Sequence, residues 1–209
     1  DVIFIEDLIK LYETLTKHGL RIYTTGNDRC KRTVDSLSLM PKTIRQLIEM
    51  NGEPICEADY KCLHPNLANK LFGSNQEHIS HEMMADYLDI PLSKAKKNNL
   101  SFFNYKESIF KNCDASNYYR EEHPLLYNNL FNIKKTGSMM VTYKMFELEH
   151  EVMTKVFLEL ERKKIYPIHV YDAAMVKESR IEEVVKVMDR IAKEMGLHTW
   201  VKNEKGGVN

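Results

Sequence analysis

No apolar stretch in the 209 residues approaches the roughly 18 needed to cross a bilayer, so a transmembrane helix is not expected. The start, Asp1-Val-Ile-Phe-Ile-Glu6, has no basic segment and no small-residue cleavage site, so no secretory signal is expected. Internal repeats and low-complexity tracts are also missing. An excess of one charge is absent too: 30 basic residues face 30 acidic ones, with a pI near 7.2. Proteins that coat nucleic acid electrostatically are usually strongly basic, so that class is disfavoured. A catalytic nucleic-acid cleft is still allowed, because acidic metal ligands offset basic residues elsewhere. The four cysteines, at 30, 56, 62 and 113, form no CxxC pair. A reduced chain in the cytoplasm is the expectation. Cys62, His64, His78 and His81 can be drawn as a zinc set, but their spacing follows no zinc module. The chain opens on Asp rather than Met, which is compatible with a piece of a longer protein.

A hydrophobic content of 43% is enough for a substantial core. Apolar spacing predicts helices over 4–18, 41–50, 65–72, 81–88, 93–111, 116–132 and 143–164. Ser179-Arg-Ile-Glu182 is a capping-box pattern that opens a further helix to Met195, with Gly196 after it. Strand-type runs fall at 20–24, 53–59 and 198–201, and 167–176 reads as a hairpin around Tyr171-Asp172. The segments 26–37, with Arg29, Lys31 and Arg32, and 134–138 read as loops. The class is α+β, a single domain with a small, partly antiparallel sheet backed by long helices. The methionines, including Met83, Met84, Met139 and Met140, are expected mostly in the core, and Tyr118, Tyr119 and Tyr127 on a packing face.

Two aspartates stand apart. Asp59 ends a predicted strand, and Asp172 sits at a predicted hairpin tip. Carboxylates beside apolar strands are costly to desolvate without compensation. Two on neighbouring strands repel unless divalent cations lie between them, as in two-metal phosphoryl transfer. The plain alternative makes Asp59 a helix N-cap and Asp172 an ordinary turn residue.

The surrounding residues favour the metal reading. Glu57-Ala-Asp59-Tyr60-Lys-Cys-Leu63-His64-Pro65 resembles motif A of the nucleic-acid polymerases. The Asp-Tyr pair is of family A type, and Leu63 and Pro65 have a family B flavour. Upstream, Leu20-Arg-Ile-Tyr23, Ile44-Arg45 and Gly52-Glu-Pro54 are similar to the run before motif A in phage and mobile-element polymerases of family A type. Pro167-Ile-His169-Val-Tyr171-Asp172-Ala-Ala174 resembles the stretch ending in motif C, with His169 displaced by two residues. Lys97 and Tyr105 keep the eight-residue spacing of motif B on one predicted helix, although Ser93 replaces its Arg and Lys106 its Gly.

The resemblance covers residues 20–190 and implies a right-hand palm. Asp59 and Asp172 lie 113 residues apart, which implies reduced fingers over about 74–135 and no proofreading exonuclease. It implies two Mg²⁺ or Mn²⁺ ions on Asp59, Asp172 and the Tyr60 carbonyl. His64 would gate the nucleotide sugar, and Lys97, or its neighbours Lys94 and Lys96, would meet the triphosphate. Tyr105 and Arg45 would serve nucleotide or template, and Glu149, His169 and Tyr171 are further candidates. The implied partners are a DNA primer-template, dNTPs and other replication subunits. The implied activity is DNA polymerisation. The alternatives are a single-subunit RNA polymerase or primase, and a non-catalytic palm-like module that binds nucleic acid or assembles a replication or mobile-element complex.

Overall fold

The computed structural model describes residues 2–19, 21–24, 34–137 and 139–204. In chain order the elements begin with α1 (Val2–Thr16), β1 (Ile22–Thr24), β2 (Val34–Asp35), α2 (Ser36–Leu39), α3 (Lys42–Arg45) and β3 (Ile55–Tyr60). Six helices follow: α4 (Leu63–Phe72), α5 (His81–Leu88), α6 (Leu92–Asn104), α7 (Glu107–Phe110), α8 (Asp114–Glu122) and α9 (Pro124–Thr136). The long α10 (Met140–Arg162), β4 (Ile168–Val170), β5 (Ala173–Lys177), α11 (Ile181–Glu194) and β6 (Val201–Glu204) complete the chain. The class is α+β, as expected. Among the described residues no helix is long and apolar enough to cross a membrane. The chain divides into two compact units: residues 1–60, 153–189 and 201–209, and residues 61–152 and 190–200.

The first unit is built on a four-stranded sheet of order β4-β5-β3-β6, with every neighbouring pair antiparallel. Strand alternation divides the side chains of β3 between two faces. Cys56, Ala58 and Tyr60 point to one face, where all three are buried and the Tyr60 hydroxyl donates to the Met188 carbonyl at 2.8 Å. Ile55, Glu57 and Asp59 point to the other. There Ile55 packs with Val170 and Met175, joined by Ile48 and Met50. The lower half of that face is therefore apolar and its upper half carries carboxylates. The β4–β5 hairpin turns in two residues, and Tyr171 takes a φ of 54°. Two-residue hairpins require such positive φ, and a tyrosine pays a steric cost to supply it.

In segment 26–37, expected as loop, the residues from Val34 onward form β2 and the start of α2. Asp35 accepts from the Ser38 amide at 2.7 Å and the Ser38 hydroxyl accepts from the Asp35 amide, a reciprocal cap that opens α2. Arg29, Lys31 and Arg32 lie outside the described residues. The helix expected over 41–50 is only one turn long, α3, before the chain loosens toward Asn51-Gly52, both at positive φ.

The second unit is a helical cluster around stacked aromatics. Phe102 lies parallel to Tyr119 at 4.3 Å between centroids, and to Phe110 at 4.6 Å. Tyr118, Tyr119 and Tyr127 are buried in this core, as expected of a packing face. Of the four methionines named above, Met84 is core, whereas Met83, Met139 and Met140 are exposed. The helix expected over 93–111 breaks after Asn104, and that over 116–132 breaks at His123, because Pro124 starts a new helix as its first residue.

The expected loop at 134–138 is helix through Thr136. Lys134 is buried there, and its ammonium donates to the carbonyls of Phe103 (2.9 Å) and Tyr105 (2.7 Å) at the end of α6. A cation on the last carbonyls of a helix is favourable. Burial pushes the Lys134 pKa down to about 8 all the same.

Nearby, the Tyr119 hydroxyl donates to Asn99 Oδ1, so the Asn99 amide donates to His81 Nδ1 at 2.9 Å. This bond needs a neutral His81, and burial, with Lys96 close by, pushes its pKa down to about 4. Between pH 6.5 and 4 the unfolded chain therefore takes up the proton before the folded chain does. Stability is full above about pH 6.5 and falls as the pH drops toward 4. After allowance for solvent screening the loss is about 1–2 kcal/mol. Urea titrations at pH 7 and 4.5 should show this slope in the wild type, and His81→Gln should flatten it. An unchanged slope would remove His81 as its source.

Candidate active site

The sheet of the first unit brings the two sequence-selected aspartates to the same end of adjacent strands. Asp59 on β3 pairs with Ala173 on β5, and Asp172 is the residue immediately before Ala173, in the hairpin turn. Asp59 does not cap the following helix. The N-cap of α4 is Cys62, in the left-handed conformation at φ 52°, and it makes no side-chain cap. Asp172 is indeed a turn residue, half-buried, as both readings of it required.

On its other side Asp59 pairs with Lys202 of β6, and the Lys202 ammonium lies 3.0 Å from Asp59 Oδ2. Burial raises the Asp59 pKa above the ordinary aspartate value. Lys202 opposes that rise, Glu57 adds to it and Lys42 opposes it weakly.

Glu57 lies two residues before Asp59 on the same face of β3 and is buried. Its charge is answered from the α3 turn: Arg45 Nη2 reaches Oε2 at 3.4 Å and Lys42 Nζ reaches Oε1 at 3.6 Å. Arg45 Nη1 also donates to the Met40 carbonyl at 2.6 Å. Arg45, read from the sequence as a nucleotide or template contact, thus lies on Glu57, with its side chain only 12% exposed. Glu57, Lys42 and Lys202 were not singled out in the sequence. Glu57 was within reach, since residues two apart in a strand share a face. Lys202 gave no local signal, because the last strand begins at Val201 rather than at His198.

His169 and Tyr171 flank the turn. His169 Nε2 bonds the Tyr171 carbonyl at 2.6 Å, and its ring meets Phe157 edge-on at 4.8 Å. The Tyr171 ring joins the apolar cluster of Ile55, Val170 and Met175.

The other sequence-selected residues belong to the second unit. His64, in the first turn of α4, bonds through Nε2 to Glu149 Oε2 of α10 at 2.8 Å, and Glu149 is buried. The sequence named both residues but did not pair them. Lys94, Lys96 and Lys97 are exposed on α6. Tyr105 is not on that helix. It follows the helix end in extended backbone, and its half-buried ring packs on the aromatic core. The eight-residue spacing therefore does not set Lys97 and Tyr105 on one helix, because α6 ends at Asn104.

Among the described residues no three His, Cys, Asp or Glu side chains are gathered to hold a metal, and this includes Cys62, His64, His78 and His81. Asp59 and Asp172 each carry a carboxylate at this end of the sheet, and Tyr60 follows Asp59 on β3. Such hard oxygen donors fit Mg²⁺ or Mn²⁺, and Mg²⁺ is commonly held by one or two carboxylates plus water and substrate phosphates.

No protein-family model matches the chain, and no curated protein matches it. A solved structure does: the POL domain of Pol1 from M. smegmatis, in complex with DNA primer-template and dNTP. The superposition has a TM-score of 0.51 at 8% identity and covers 97% of this chain. The chain spans 50% of that domain's length. The small antiparallel sheet backed by helices is thus a polymerase-like palm fold.

Proposed function

We propose that this chain carries out template-directed nucleotidyl transfer, adding dNTPs to the 3′ end of a DNA primer. The observation that supports the reading is the pairing of Asp59 with Ala173, the residue after Asp172, at one end of a palm-like sheet. Asp59, Asp172 and the Tyr60 carbonyl would hold two divalent ions, which when bound lower the pKa of the attacking hydroxyl and stabilise the leaving oxygen. The chain's own part is to hold these oxygens in place. The β3–β5 ladder fixes Asp59, the tight hairpin fixes Asp172, and the Met188 hydrogen bond anchors the Tyr60 ring. The role of Tyr60 rests on its main chain, so Tyr60→Phe is expected to keep metal binding and extension within about threefold. It should lose about 1 kcal/mol of stability with the buried hydrogen bond. Loss of activity in a folded Tyr60→Phe variant would point to the hydroxyl instead.

In the second unit, the proposal gives the α6 lysines, Lys97 first, to the triphosphate and His64 to sugar selection, with Glu149 fixing the imidazole. A bulky gate disfavours a 2′-hydroxyl, so dNTPs should be extended and NTPs rejected; the reverse preference would indicate an RNA polymerase or primase. The segment of about 74–135 is assigned to the reduced fingers, and replication subunits are the proposed partners. One observation favours a second reading, a palm-like module without catalysis: Lys202 already neutralises Asp59. Primer extension with Mg²⁺ or Mn²⁺ decides between them.

A further inference from the structure

Lys202 faces Asp59 because the β3–β6 register puts it there, with its ammonium 3.0 Å from the carboxylate. The neighbouring Glu57 is answered by Arg45 and Lys42, and Lys202 makes a direct ion pair with Asp59. An ammonium and a divalent cation on one carboxylate repel strongly at such distances. A lysine is a point charge on a flexible four-carbon stem, and this one is 41% exposed at its side chain, so it has water to move into.

We propose that Lys202 competes with the first divalent ion for Asp59: it holds the carboxylate in place, and it leaves when the ion enters. The inference rests on the two-metal reading and adds to it a residue that sets metal affinity. Lys202 is a positioning residue, acting through Asp59. Replacing a merely structural lysine would loosen the strand end and weaken metal binding, whereas replacing a competitor tightens it.

The test is Mn²⁺ titration of the whole chain, with free Mn²⁺ followed by electron paramagnetic resonance. Lys202→Met is expected to bind Mn²⁺ roughly fivefold or more tightly than wild type. Lys202→Arg should stay close to wild type, and Asp59→Asn should abolish the tight site in either background. Lys202→Gln keeps a polar side chain at the strand and is measured in place of Lys202→Met if that variant shows no cooperative thermal transition. Equal or weaker Mn²⁺ binding in these variants, with Asp59→Asn still abolishing it, would overturn the role of Lys202 and leave the two-metal reading standing. No Mn²⁺ bound by wild type or by the Lys202 variants would overturn both.

Discussion

Replacing Asp172 by Asn should lower primer extension by about three orders of magnitude or more, equivalent to about 4 kcal/mol of transition-state stabilisation. The expectation follows from position. Asp172 is the second turn residue of a two-residue hairpin, next to the Asp59 partner Ala173. An amide keeps the size and turn preference of the carboxylate but lacks the charge that binds a divalent ion. Stability should change far less than activity, by about 1 kcal/mol or less. Extension kinetics and a thermal melt on the same sample check both halves. Near-wild-type extension would remove Asp172 from the site.

The second large effect is on stability. Arg45→Ala should cost about 3 kcal/mol, because it leaves the buried Glu57 carboxylate with Lys42 alone and uncovers the Met40 carbonyl. For a chain of this size that corresponds to a drop of roughly 6–12 °C in Tm. The pair itself is imperfect: the Arg45–Glu57 contact is 3.4 Å, and Arg45 Nε is buried without a hydrogen-bond partner. The penalty is thus mostly that of an unanswered charge rather than of a lost strong bond. Replacing both members, as Arg45→Met with Glu57→Leu, should recover a large part of the loss. Urea denaturation of the two single variants and the double variant measures this. A cost below about 0.5 kcal/mol for Arg45→Ala would show that Glu57 is solvated in solution, and would free Arg45 for the nucleotide contact that its sequence position implied.

The sequence displayed what local chemistry encodes. The hairpin around Tyr171-Asp172 stood out because two apolar runs flank a polar tip, and the structure turns at those two residues. The strand ending in Asp59 and the helix over 81–88 were equally plain. The breaks after Asn104 and at Pro124 were less so, because apolar spacing continues across them. Only Pro124, with no amide hydrogen to give a preceding helix, carried a local sign. The charge partners were hidden. Glu57 meets Arg45 and Lys42 across a loop, and Asp59 meets Lys202 across most of the chain. Strand pairing of such range leaves no spacing to read. The pairing of His64 with Glu149 was hidden for the same reason, since 85 residues separate the two.

The most direct test of the central claim is primer extension by the unaltered chain on a primed DNA template, with Mg²⁺ or Mn²⁺ and with dNTPs and NTPs in parallel. Metal-dependent extension with dNTPs, absent in Asp59→Asn, is the predicted result. A folded chain that extends no primer with either metal and either nucleotide would contradict it.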